Sequence, residues 1–268
     1  MGKISDTDRN KYLERINQYK KNIEEIEQRE KFILSLIQKE SSGIEVKKLR
    51  LADENINLIS YYVLMNTLSI NLLGVKNEPY LNNARKIFYK VLKYFEDVVS
   101  DSIDGTLTDL VDHCKPIDGW EHGDRWRIIS KMGYAYQSIV DGYGENTKWK
   151  WSFVELDGRM ATIVKNLLPF RTLYSDLDPS KDDYPIKLRH LNLATRLLDQ
   201  AANRYREKYE LATSRIDDFR LAIKYLDALR RLYSMLNRAA EADNYKKKMD
   251  IWLQKLETDM KKKDIKSR

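Results

Sequence analysis

Along the first forty residues, apolar side chains recur at a step that only a helix gathers onto one face. Tyr12, Ile16, Tyr19, Ile23, Ile26, Glu30, Ile33 and Ile37 follow one another at alternating steps of four and three, the heptad spacing with which a helix lays a narrow seam against a partner. The spacing predicts a long helix from Asp6 to about Glu40. Asp6 or Thr7 can cap its start, and Ser41, Ser42 and Gly43 break it, because glycine accepts the left-handed conformation in which helices end. Glu30 is the one charged residue on the seam. It either fixes register or partner choice, as polar seam residues do, or lies at the solvent edge.

A second helix repeats the rule through Leu49, Ala52, Ile56, Ile59, Val63, Asn66, Ile70 and Leu73, while Leu58, Tyr61, Tyr62, Leu64, Met65, Leu68 and Leu72 cover other faces. A helix apolar on several faces is a central one. Gly74 closes it, and a third helix from Glu78 to Val99 gathers Leu81, Ala84, Phe88, Val91, Leu92 and Phe95 on one side. Short loops make such helices antiparallel neighbours. Over 100–124 the period is lost: Gly105, Pro116, Gly119 and Gly123 punctuate an Asp-rich connector with room for one short helix. Helical spacing returns at Trp126, Ile129, Met132, Tyr136 and Ile139, and again at Phe153, Leu156, Met160, Ile163, Val164 and Leu167.

Beyond a turn-rich acidic linker between Pro169 and Pro185 come three more stripes. The first runs through Leu191, Ala194, Leu198, Ala201, Tyr205, Tyr209 and Ala212, the second through Ala222, Leu226, Leu229, Tyr233 and Leu236, and the third through Ala242, Tyr245, Met249, Trp252, Leu256 and Met260. The charged tail from Lys261 is expected to fray. No stretch alternates as a strand does. The expected fold is therefore all-α, with about seven or eight helices: an N-terminal antiparallel bundle (1–99), a loop-rich connector (100–124) and a bundle-like or tetratricopeptide-like helical array (125–268).

Composition sharpens this picture. Ten Gly and five Pro in 268 residues leave little from which to build hairpins or phosphate-cradling loops. The lone Cys114 cannot form an internal disulfide, which favours a reducing compartment. The start of the chain lacks the basic-then-apolar order of an export signal, and Asp6 stands where a myristoylation pattern wants Ser or Thr. The apolar run 58–73 is short for a membrane span and is interrupted by Ser60, Asn66, Thr67, Ser69 and Asn71. These features point to the cytoplasm, with no membrane span. The net charge of +7 is uneven: residues 189–268 hold 20 Lys and Arg against 12 Asp and Glu. An acidic partner would be met there, although the alternation of signs also suits an ordinary solvated face.

The segment 221–254 is similar to a tetratricopeptide unit through Ala228, Leu229, Leu232, Tyr233, Ala242 and Tyr245. It departs from that pattern in lacking the closing Pro and an upstream copy, and an ordinary helical hairpin gives the same spacing. Three further stretches, Leu51-Ala52-Asp53-Glu54-Asn55, the run Lys148-Trp149-Lys150-Trp151-Ser152-Phe153 continuing to Arg159, and Arg204-Tyr205-Arg206-Glu207-Lys208-Tyr209-Glu210-Leu211, resemble a group of uncharacterised helical proteins of spirochaete bacteria along most of the chain. The resemblance implies a bacterial cytoplasmic protein and brings no catalytic motif with it.

Candidate chemistry is sparse. Asp112, His113, Cys114, Asp118, Glu121, His122 and Asp124 supply metal-ligand types without the spacing of a metal site. Glu155, Asp157 and Arg159 isolate no acid–base pair. No cofactor, metal or enzymatic activity is expected. Lys148-Trp149-Lys150-Trp151 interleaves cations with indoles, which suits base stacking, a protein hot spot or simply a helix entering the core. Arg220, Lys224, Arg231 and Arg238 step by four, seven and seven and share one helical face, although Asp217 and Asp227 intervene. The expected function is a non-enzymatic scaffold or adaptor with a protein partner, in which Trp149, Trp151, Arg220, Lys224, Arg231 and Arg238 make contact. Nucleic-acid association through the basic C-terminal helices is the alternative, and the heptad seams leave homo-oligomerisation open.

Overall fold

Ser5 begins the first helix: its hydroxyl accepts the Asp8 N–H at 3.0 Å, one residue ahead of the caps expected from sequence. The structure is a computed structural model that describes residues 5–145, 147–173 and 177–266. Helix α1 (Asp6–Lys39) is followed by α2 (Ile44–Leu73), α3 (Glu78–Val99), α4 (Leu107–Cys114), α5 (His122–Tyr143), α6 (Lys150–Asn166), α7 (Tyr184–Lys208), α8 (Ile216–Met235) and α9 (Ala239–Lys266). The fold is all-α, with nine α-helices and no strand among the described residues. Gly43 and Gly74, both at φ 64°, make the left-handed turns before and after α2.

The chain divides into two compact units, Met1–Val98 with Gly119–Thr147, and Val99–Asp118 with Lys148–Arg268. The stretch 100–124 is thus shared between them, and α5 belongs with the N-terminal helices rather than with the C-terminal array. Side-chain bonds account for the placement of α5. The Tyr143 hydroxyl donates to Asn82 Oδ1 at 2.7 Å, Lys76 donates to the Tyr143 carbonyl at 2.6 Å, and Phe88 stacks on Tyr136 at 5.2 Å. Periodicity says that α5 has an apolar face; it does not say which helix covers that face.

In the first unit, Ile16, Ile23 and Ile26 of the α1 seam pack with Leu58 and Met65 of α2, so the seam is occupied within the chain. Every α3 residue expected inside (Leu81, Ala84, Phe88, Val91, Leu92 and Phe95) is buried. The α2 seam is buried at Leu49, Ala52, Ile56, Ile59 and Asn66 and half-buried at Val63, but Ile70 is 43% exposed, because a strict seven-residue repeat drifts about 20° per heptad around a straight helix. Helix α2 is long and apolar enough to cross a membrane by length and composition alone. Its polar residues are nevertheless held: Asn66 Oδ1 accepts the Asn77 N–H at 2.8 Å, and Glu54 pairs with Arg29 at 3.1 Å and Arg50 at 2.9 Å.

Glu30 is buried, not at a solvent edge. Its carboxylate accepts from Asn55 Nδ2 at 3.0 Å, from the Tyr94 hydroxyl at 2.9 Å and from Lys90 Nζ at 2.5 Å, so one seam residue of α1 is tied to both α2 and α3. Burial alone would raise its pKa; hydrogen bonds from Lys90, Asn55 and Tyr94 outweigh that and hold it below the ordinary value. A buried carboxylate so completely matched fixes the register of three helices.

In the second unit, α7 packs on both α6 and α8, and α8 on α9. Gly158 lets α6 approach closely: a Cβ there would stand 2.5 Å from the Tyr225 hydroxyl and 2.7 Å from the Tyr205 ring. Tyr205 stacks on Tyr225, and Tyr209 on Phe219, which in turn meets Trp252. The stripe expected to reach Ala212 stops at Tyr209. A π turn, Tyr209–Thr213, widens the helix there; Ser214, in the left-handed region, donates its N–H to the Tyr209 carbonyl, and Ala212 is exposed. Helix α9 continues through the charged tail to Lys266.

Candidate functional site

The basic stripe of α8 is where sequence and structure meet most usefully. Arg220 pairs with Asp217 at 3.0 Å one turn away, Lys224 reaches the Asp104 carboxylate at 3.3 Å, and Arg231 pairs with Asp227 at 2.6 Å. Arg231 also donates from Nη1 to the Asp104 carbonyl at 3.1 Å. Arg238 lies past the end of α8 and is exposed. The middle of the stripe thus holds the loop that precedes α4, and acids within the unit engage three of its four cations.

A buried cation meets the same loop from α6. Lys165 is 4% exposed, and its Nζ donates to the carbonyls of Ile103 at 2.7 Å and Ser102 at 3.4 Å. Lys165 and Arg231 together hold three successive carbonyls, those of Ser102, Ile103 and Asp104. The neighbouring Asn166 Nδ2 adds the Ser100 carbonyl at 2.9 Å. Burial pushes the Lys165 ammonium down to about 8; Asp104 opposes that shift and the like charge of Arg231 adds to it.

Against these groups lies a cavity of about 340 Å³. Its apolar wall is made by Leu107 and Leu110 of α4, Phe170, and Leu232 and Met235 of α8, and its charged wall by Asp104, Lys165, Arg230 and Arg231. Arg230 Nε and Nη2 donate to Asp227 Oδ1. Thr106 caps α4 by accepting the Asp109 N–H, so the positive end of the α4 dipole also lies on the cavity wall. An apolar chamber with a few convergent cations is the usual form of a small-ligand pocket, and this volume is at the lower end of their range.

The other sequence-derived candidates lie elsewhere. Trp149 and Trp151 are half-buried at the start of α6, with Lys148 Nζ 5.5 Å from the ring centre of Trp149 and Lys150 Nζ 5.2 Å from that of Trp151. Each indole face is thus partnered by the preceding lysine. Phe153, one turn on, is buried. Cys114 is buried with its thiol directed to the Asn166 carbonyl at 3.4 Å. His113 and Cys114 fall in the second unit and His122 in the first. No group of three or more potential metal-ligating side chains is assembled among the described residues.

A family model matches residues 8–260, nearly the whole chain. The chain belongs to the TP0443 family. This is a Treponema pallidum family, in agreement with the spirochaete resemblance of residues 51–55, 148–159 and 204–211. No curated protein and no solved structure matches the chain.

Lys165 is the residue that sequence reasoning passed over. Its signal was a Lys-Asn pair inside the run from Met160 to Leu168, which is apolar apart from that pair and Thr162. A cation there must find partners or lose its charge, and the partners are main-chain carbonyls that no side-chain pattern displays.

Proposed function

We propose that this chain is a non-enzymatic, cytoplasmic helical scaffold that binds a protein partner. The observation that supports this best is the tip of the α1–α2 hairpin. Around the turn 40–43, Phe32 is 63% exposed and Val46 61%, with Leu34 also exposed and Ile33, Leu36, Ile37 and Ile44 half-buried. The preceding seam is folded away against α2, whereas here apolar side chains on both helices are left exposed. Large apolar side chains left exposed near one turn of a charged molecule suit a protein contact, and an exposed aromatic such as Phe32 is a natural anchor for it. The repeat-like hairpin of α8 and α9 offers a second surface of the tetratricopeptide kind, with Ile251 exposed on α9.

The test is capture by the immobilised full chain from native-cell lysate, with and without nuclease. We expect one stoichiometric protein partner that survives nuclease and is lost with the double variant Phe32→Asp, Val46→Asp. Retention by that variant overturns the hairpin tip as the contact. Recovery that vanishes with nuclease supports nucleic-acid association through the basic C-terminal helices instead.

A further inference from the structure

The cavity beside Lys165 combines features that a merely structural lysine does not need. An ammonium has three N–H donors; Lys165 places two on the Ser102 and Ile103 carbonyls. Arg231 has five, of which Nε serves Asp227 and one on Nη1 serves the Asp104 carbonyl. Arg230 keeps its Nη1 donors beyond the two bonds to Asp227 Oδ1. Three cations therefore face one chamber; Asp104 is the carboxylate on its wall, where Lys224 also engages it, and Asp227 pairs with both arginines. Even with Asp104 and Asp227 counted, three cations and Lys224 leave this region net positive, and a bound anion balances that charge, more strongly beside a largely apolar lining than in open water. Much of the remaining lining is hydrocarbon and aromatic.

We propose that this cavity is a binding site for a small aliphatic carboxylate, with its alkyl chain between Leu107, Leu110, Phe170 and Met235 and its carboxylate on Lys165 and Arg231. Charge complementarity selects the head: a carboxylate accepts the donors that the three carbonyls leave over, and a charge-assisted hydrogen bond is about twice as strong as a neutral one. The modest volume selects a short chain. This site is independent of the scaffold reading and stands or falls without it.

The experiment is calorimetric titration of the full chain with octanoate, with 1-octanol and acetate as probes lacking the head and the tail. We expect saturable one-to-one binding of octanoate, with both controls at least about tenfold weaker. Arg231→Gln, a change at a half-exposed side chain, weakens octanoate about tenfold, and Leu107→Trp, which fills the chamber from its rim, abolishes binding. Lys165→Met is expected to act as strongly as Arg231→Gln; should it not fold, the other two variants decide. Equal binding of octanol shows an apolar groove without an anion site, and equal binding of acetate shows surface charge alone. Octanoate undiminished in both Arg231→Gln and Leu107→Trp places it elsewhere. Each of these results, like the absence of octanoate binding, overturns the proposal.

Discussion

Two buried charges, Glu30 in the first unit and Lys165 in the second, are held in opposite ways. In the first, the Glu30 carboxylate is met by an amide, a phenol and an ammonium, and Glu54 by two guanidinium groups. In the second, Lys165 is a buried cation whose hydrogen-bond partners are neutral carbonyls and whose neighbour Arg231 carries the same sign, unlike the buried Asp218 of the same unit, which Lys208 and Thr213 match. A buried anion enclosed by donors is a register pin and has no spare capacity. A buried cation on carbonyls, beside a second cation and an open chamber, keeps capacity for an anion. Burial by itself therefore does not separate structural from functional charge; what separates them is whether the partners saturate the group.

The strongest way to break this contrast is to remove the pin. Glu30→Ala leaves Asn55, Tyr94 and Lys90 without their common acceptor, and should destabilise the first unit by about 3 kcal/mol, measured as a shift in chemical denaturation with hydrogen exchange assigning the loss to α1, α2 and α3. The same carboxylate sets an acid limit. Because its folded pKa lies below its unfolded one, the stability it lends is present above about pH 4.5 and lost as pH falls through the folded value. The first unit of the natural chain should lose stability on acidification more steeply than that of Glu30→Gln.

Next in size is Gly158→Ala. The added methyl meets Tyr225 and Tyr205, and the expected cost is about 2 kcal/mol in the second unit, net of the helix propensity gained. A neutral or stabilising result would mean that the two rings move aside freely and that α6 is not held where the cavity needs it.

Lys165 gives an alkaline counterpart to Glu30. Its folded pKa of about 8 lies below the ordinary lysine value of 10.5, so between these values the unfolded chain binds the extra proton and stability rises with pH. The second unit should gain stability from pH 8 to 10 relative to Lys165→Met. Parallel pH profiles for the two proteins would show that burial does not strain the cation. The smallest effect is expected at Ser100, whose φ of 73° suits glycine better. Ser100→Gly should stabilise by on the order of 0.5 kcal/mol, since relief of the left-handed strain exceeds the loss of the bond from the Ser102 N–H to its hydroxyl.

Much of the helical plan was legible because apolar period is a one-dimensional signal. The inward faces of α3 and α6 can be read residue by residue, and Glu30 stood out as the charge on a seam. Three things were not legible, each for a physical reason. Which unit owns α5 depends on bonds from Tyr143 to Asn82 and from Lys76 back to α5, between residues more than sixty apart. The stop at Tyr209 depends on a π turn closed by Ser214 and braced by the Thr213 hydroxyl on Asp218. The cavity depends on main-chain carbonyls at 102–104, which every residue type presents alike. The stripe of Arg220, Lys224 and Arg231 on α8, with Arg238 beyond its end, was visible as charge, while the engagement of Lys224 and Arg231 with that loop was not.

The contrast between a saturated and an unsaturated buried charge is tested most directly by hydrogen exchange of the full chain with and without octanoate. Protection should rise at 102–110, around Lys165 and over 228–235, and stay unchanged around Glu30 and Glu54. Equal protection in both units, or none at 102–110, would contradict the assignment of the second unit as the one with capacity for an anion.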